Sequence, residues 1–212
     1  MRLSTIPRSP LQQRGDHLTW ERPNTTISIL HGQPYKEIFK EGVELIKSLG
    51  IFYWVSAGTA LGLYRNSSLI EEDTDLDIGI YGHDFSDEIE YLFIKHGFII
   101  IRTADKVGPM QRAFQKDNVI FDIAFYHKDL DGTYFNSINW GELRKPAKIL
   151  ENFEQITYDG ETYNIPQSPE YFEWRYGKDW RIPKKGFKGI YAEAVNVTEQ
   201  EATEKKIKIT NN

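Results

Sequence analysis

The sequence predicts an α+β or α/β domain with a mixed sheet flanked by helices. Amphipathic helical stretches alternate with short apolar strands, most of those strands are not joined as hairpins, and 212 residues suffice for one well-buried domain. Hydrophobic residues make up 40% of the chain and charged residues 27%, the balance of a soluble globular protein. Aromatics reach 14%, enough for a packed core plus stacking surfaces.

Residues 1–32 are polar, carry prolines at 7, 10 and 23, and are expected to form an extended arm over a domain spanning 33–190. Pro34 opens a helix, where its missing N–H costs nothing. Tyr35, Ile38, Phe39, Val43, Ile46 and Leu49 recur at helical spacing, and Gly50 closes the helix. The apolar run Ile51 to Ser56 predicts a strand, "AGTALGLYR" a small-residue turn into a short helix, and the acidic stretch after it a strand through Tyr81. A second amphipathic helix is expected from Ser86 to His96, with Ile89, Leu92 and Phe93 inward and Gly97 as its stop. "FIIIR" (98–102) predicts a strand, and "RAFQK" and "VIFDIAFY" two more around an Asp117-Asn118 turn. Asp131-Gly132 marks a turn before "TYFNS". From about 140 to 190 the chain is expected to be loop-rich and aromatic, with short strands in "QITYDGETYNIP" and a helix at "SPEYFEWRYG". Residues 191–212 are expected as a polar tail, helical or frayed.

Composition narrows the function. A net charge of −5 argues against a broad nucleic-acid binding surface. With no cysteine, thiolate catalysis, disulfides and Cys-based zinc sites are excluded. The N-terminus lacks the apolar run of a secretory signal, and no window reaches the ~20 apolar residues of a membrane span, so the protein is expected to be cytoplasmic. Sequons at Asn24, Asn66 and Asn196 are then chance occurrences.

The chemistry concentrates in "LIEEDTDLDIGIYG", where Glu71, Glu72, Asp73, Asp75 and Asp77 place five carboxylates within seven residues. Residues two apart on a strand share a face, so Asp75 and Asp77 project together while Leu76 and Ile78 turn to the core. Side by side, two carboxylates repel unless one stays protonated or a cation intervenes, and Mg²⁺ is held by one or two carboxylates plus substrate phosphates. In "VIFDIAFY", Asp122 stands alone among apolar residues, on a face with Ile120 and Ala124. Such an aspartate is expensive unless it coordinates a cation or is paired with an Arg or a backbone N–H. Upstream, Ala57, Gly58 and Thr59 leave a strand-to-helix junction without bulk, where backbone N–H groups and the Thr59 hydroxyl can face an anion.

Strand, small-residue turn, helix, D-x-D strand and a later strand Asp, in that order, resemble the nucleotidyltransferase fold. More narrowly, "YWVSAGTALGLYRNSSLIEEDTDLDIGIY" resembles the signature of the LicD phosphocholine-transferase and fukutin family, and "YNIPQSPEYFEWRYGKDWRIPKK" resembles its C-terminal block. The resemblance covers roughly 34–186. It implies a nucleotidyltransferase-like mixed sheet in which Asp75 and Asp77 hold Mg²⁺ (or Mn²⁺) against a donor diphosphate. Asp122 would complete a second metal site or act as base, Gly58 and Thr59 would seat a phosphate, and Arg65 would neutralise another. Asp73 is expected to support the turn instead of binding metal. The chain departs from the pattern at Ala57, where the family has Gly, at Glu71-Glu72 in place of Pro-Trp, and at Thr74 in the acidic run.

The expected function is an enzyme: a metal-dependent phosphotransferase moving a phospho-alcohol such as phosphocholine from a CDP-activated or other nucleotide donor to a carbohydrate acceptor of cell-surface glycan type. The same acids would serve transfer of a nucleoside monophosphate to a sugar, antibiotic, RNA or protein. A third alternative is a non-catalytic carbohydrate- or nucleotide-binding protein. Histidines 17, 31, 83, 96 and 127 show no paired metal spacing and are expected at the surface or at helix ends. Trp174, Tyr176 and Trp180 suit either a small core or a platform for a cytosine or choline group, and Lys184 and Lys185 are a lone basic pair.

Overall fold

In Val119–Lys128, apolar Val119, Phe121, Ile123 and Phe125 alternate with Ile120, Asp122 and Ala124, a period of two that makes one face of the strand apolar as far as Phe125. A computed structural model, which describes residues 33–70, 73–105, 108–138, 141–145, 147–184 and 194–195, makes this segment the central strand of a mixed sheet. The elements are α1 (Gln33–Ser48), β1 (Tyr53–Val55), α2 (Ala57–Asn66), β2 (Asp75–Tyr81), α3 (Asp87–Lys95), β3 (Ile99–Ala104), β4 (Gln111–Lys116), β5 (Val119–Lys128), β6 (Tyr134–Ile138), β7 (Gly141–Lys145), α4 (Ala147–Glu151), β8 (Phe153–Tyr158), β9 (Glu161–Pro166), α5 (Glu170–Tyr176) and β10 (Ala194–Val195).

β5 pairs in parallel with β2 along Asp75–Tyr81. On its other side it pairs antiparallel with β4 along its first half and with β6 at His127 and Lys128. β1 adds to β2, β3 to β4, and β7 and β10 extend the sheet beyond β6. β8 and β9 form a separate hairpin. Leu76, Ile78, Phe121, Ile123 and Phe125 lie on one face of the sheet and are fully buried. α1 and α3 cover that face: Phe93 of α3 stacks on Phe114 at 4.3 Å and meets Phe121 at 5.5 Å. Asp75, Asp77, Asp122 and Ala124 face the other way, so the pleat that builds the core also gathers the acids.

Gly50 and Gly97 follow α1 and α3 with φ of 70° and 85°, the left-handed stops expected of them. Asp117 and Asn118 take φ of 48° and 64° in the β4–β5 hairpin, the conformation that such a two-residue turn requires. Within the stretch expected to be loop-rich, β8, β9 and α5 fall where strands and a helix were expected, and β7 and α4 make it more regular than that. Trp180 (3% exposed) and Tyr176 (6%) are buried, with Trp180 packed on Phe172 and Tyr64, so these two rings join the core. His83 and His96 are exposed as expected, whereas His127 is buried on β5 with Nε2 2.6 Å from the Pro109 carbonyl. His127 follows Phe125 by the two-residue period onto the same buried face, and the Pro109 carbonyl gives its ring nitrogen a partner there. The arm at 1–32, Glu71-Glu72, Lys185, histidines 17 and 31 and most of the tail lie outside the described residues; β10 falls inside the span assigned to the tail.

Gly42 sets how closely α1 lies on the sheet: a Cβ there would sit 2.4 Å from the Phe121 ring. Gly42→Ala is therefore expected to lower stability by about 1–3 kcal/mol through overpacking, although alanine is the better helix former. A urea melt checks this, and an unchanged or raised midpoint would show that the helix does not bear on the ring.

Candidate active site

Period-two geometry places Asp75 and Asp77 on one face of β2, and the extended chain just before it adds Asp73. One carboxylate oxygen from each of the three lies within 4.8 Å of the others. Asp73 Oδ1 also accepts the Thr74 N–H at 3.0 Å, the turn contact expected of it, and the same carboxyl completes the cluster, which the sequence reading left out. The D-x-D-x-D spacing was the available signal: the two-residue period simply continues past the strand end.

The junction before α2 is tied to β2 from both sides. Ser56 N–H donates to the Asp77 carbonyl at 3.0 Å, and the Asp77 N–H donates to Thr59 Oγ1 at 2.8 Å. Thr59 is thus buried in a contact that locks helix to strand. Ala57, with φ of 45°, occupies the left-handed region that favours glycine, and its N–H donates to Tyr171 Oη at 2.8 Å. A Cβ at Gly58 would fall 2.1 Å from Asp73 Oδ2, so only glycine lets that carboxylate approach the start of the helix. From α1, the Tyr35 hydroxyl donates to the Asp75 carbonyl at 2.8 Å.

Crowding shows in the proton affinities. Burial first, and the neighbouring Asp75 second, push the Asp73 carboxyl up to about 8. Burial, then Asp75, Asp73 and Asp122, hold Asp77 well above the usual carboxylate range, against the pull of the Arg175 guanidinium. Three carboxylates offering only oxygen fit a hard divalent cation, which would offset both the burial and the repulsion that raise these values.

Asp122 lies beside Asp77, its partner in the parallel register. Gln111 Nε2 donates to both Asp122 oxygens, at 2.9 and 2.7 Å, and Arg102 Nη2 donates to Oδ2 at 2.5 Å. Burial raises this carboxyl to about 6 while Arg102 opposes the shift. Of the two states open to a lone strand aspartate, the structure shows the arginine-paired one, and Asp122 forms no three-residue group with the cluster among the described residues. Arg65 sits in the last turn of α2, where its Nε donates to Asn66 Oδ1 at 3.2 Å; no described contact carries it to the acids. Arg102, Gln111, Arg175, Tyr35 and Tyr171 were not singled out from the sequence. Arg102 ends the apolar run Phe98–Ile101, which was a signal; Arg175 lies in the C-terminal block between Trp174 and Tyr176.

A strand, a small-residue turn into a helix and a second strand bearing paired acids define a domain of the nucleotidyltransferase class. The chain belongs to the LicD/FKTN/FKRP family, whose nucleotidyltransferase-domain model matches residues 50–168. It is 29% identical over 171 residues to the human ribitol-5-phosphate transferase FKTN, covering 76% of this chain and 36% of that protein. The same enzyme of Macaca fascicularis is 30% identical over 171 residues with the same coverage. The chain thus spans about a third (36%) of the length of these relatives. Among solved structures, the lincosamide antibiotic adenylyltransferase LnuA bound to lincomycin superposes with a TM-score of 0.46 at 16% identity, covering 62% of this chain and 79% of that one. No described helix is long and apolar enough to cross a membrane.

Asp73 and Asp77 bind protons more tightly in the folded protein than in the unfolded chain, so the cation-free fold loses stability as pH rises from ~4, the ordinary carboxylate value, toward about 8. A divalent cation replaces those protons and is expected to restore the melting temperature most at the upper end of this window. Thermal melts with chelator and with Mg²⁺ across that range check this; equal Mg²⁺ effects at both ends would contradict it.

Proposed function

We propose that this chain is a metal-dependent phosphotransferase that moves a phospho-alcohol from a CDP-activated donor to a hydroxyl of a cell-surface glycan or related carbohydrate. The observation that carries the reading is the Asp73, Asp75 and Asp77 cluster, set against a glycine turn in a chain of this family. Mg²⁺ or Mn²⁺ is the cation, since both favour all-oxygen sites completed by substrate phosphates. Similarity to ribitol-5-phosphate transferases favours a polyol phosphate over phosphocholine as the transferred group. Packing agrees: Trp180, a candidate choline platform, is buried, with Phe172 packed at 4.8 Å and the Arg181 guanidinium over its ring at 4.0 Å. A quaternary ammonium would have to displace that cation.

Each part of the site has a role in this reading. When bound, the cation neutralises the donor diphosphate as negative charge gathers on the leaving group. Asp75 and Asp77 hold it from the strand and Asp73 from the turn. Gly58 and Thr59 offer backbone N–H groups to a phosphate at the start of α2, and Arg65 supplies a further positive charge. The acceptor oxygen bonds to the distal phosphorus while the bond from that phosphorus to CMP breaks. CMP leaves with the electron pair, and the acceptor proton passes to the Asp122 carboxylate beside Asp77.

Incubation with CDP-ribitol, CDP-choline or CTP, with Mg²⁺ and a glycan acceptor, tests the reaction. CMP release with CDP-ribitol is expected; pyrophosphate release from CTP would instead indicate nucleotidyl transfer. Asp77→Asn is expected to weaken cation binding and cut turnover by about 100-fold or more. A folded Asp77→Asn protein with intact turnover and cation affinity would refute the assignment.

A further inference from the structure

Asp77, Asp122, Ala113 and Arg102 are Cα partners in one row across β2, β5, β4 and β3, so their side chains share the face that carries the acids. This row exists because of an irregularity. Ile100 pairs with Phe114 and Arg102 with Ala113, which leaves Ile101 as a bulged extra residue. In an unbroken ladder Ile101 would oppose Ala113 and Arg102 would oppose Arg112. The guanidinium would then lie on the other face, against a like charge. Bulges are the device by which strands re-aim a side chain, and they gather near active sites.

Two further features fit the re-aimed arginine. It starts two strands from Asp122, about 10 Å away, and must cross β4 to reach it. The residue beneath its path is Ala113, fully buried and too small to block it. Gln111, two residues from Ala113 on the same strand, reaches Asp122 from the same face. Stability does not demand this arrangement. Buried ion pairs are commonly replaced by apolar residues without loss, and Arg102 Nε is buried with no hydrogen-bond partner, which is itself unfavourable.

We propose that Arg102, assisted by Gln111, is a positioning residue that holds the Asp122 carboxylate in a fixed orientation beside Asp77 and apart from the cation-holding cluster. This rests on the phosphotransferase reading for its effect on turnover, but the clamp itself can be tested without any substrate. Arg102 therefore governs the rate of transfer and not the capture of the cation.

The experiment compares wild type with Arg102→Met, Arg102→Lys and Ala113→Val, the last of which keeps every polar group and only fills the guanidinium's path. Mn²⁺ affinity is read by electron paramagnetic resonance, and kcat and donor KM by CMP release. Arginine-selective nitrogen NMR reports whether the Arg102 guanidinium rotates freely. Arg102→Met and Ala113→Val are expected to lower kcat by about 100-fold, the cost of a misplaced reacting group, with donor KM and Mn²⁺ affinity within about twofold of wild type. Arg102→Lys, which lacks the planar fork, is expected to recover part of the loss. In wild type the guanidinium signals should be resolved as for a restrained group, and should merge in Asp122→Asn. Unchanged kcat in a folded Arg102→Met protein would overturn the proposal, as would Mn²⁺ affinity falling in step with kcat, or a freely rotating guanidinium in wild type. If wild type releases no CMP from any donor, the phosphotransferase reading fails, and the NMR result alone decides whether the clamp exists.

Discussion

Like charge confined at the edge of a core is the constraint on which this structure depends. Asp73, Asp75 and Asp77 cannot separate, because the two-residue period that sends their side chains to one side also sends Leu76 and Ile78 into the fully buried face. Slipping β2 by one residue would not relieve the repulsion; it would carry Asp75 and Asp77 together into the apolar face and turn Leu76 and Ile78 out. The fold therefore keeps the strain locally, with protons held on Asp73 and Asp77 above the usual carboxylate range. A site that binds protons this tightly, with several oxygens and little else, is prepared for a cation of higher charge.

The rest of the architecture holds that strained edge still. Asp77 is fixed through its own backbone, its carbonyl by Ser56 and its N–H by Thr59, so the strand bearing the acids and the helix start facing them move as one unit. Tyr171 from α5 and Tyr35 from α1 add hydrogen bonds to the same junction from elements far apart in sequence. Gly58 leaves the space that Asp73 fills. Pre-organisation of this kind is what phosphoryl transfer needs, since positioning and charge neutralisation do most of the catalysis.

What was legible in the sequence follows from which interactions are local. The helices α1 and α3, the strands β2 and β5 and the Asp117-Asn118 turn announce themselves through periodicity and turn chemistry within a few residues. The sharing of a face by Asp75 and Asp77 follows from strand geometry alone. Neighbourhood across strands does not. That Asp122 stands beside Asp77 depends on the parallel β2–β5 register, and that Arg102 reaches it depends on a bulge at Ile101 that no local pattern marks. The small residue at position 57 was visible, whereas its positive φ was not. β7 and α4 escaped notice because they are five residues each, too short to display a period. His127 looked like a surface histidine until the Pro109 carbonyl gave it a buried partner.

Where a divalent ion settles decides the central claim. Mn²⁺ diffused into crystals of the protein and located by its anomalous scattering should give a peak bounded by the carboxylates of Asp73, Asp75 and Asp77, at oxygen distances of roughly 2.0–2.2 Å, the range for a small hard cation. A peak held elsewhere, or three carboxylates that stay bare and protonated at a saturating concentration of the ion, would contradict it.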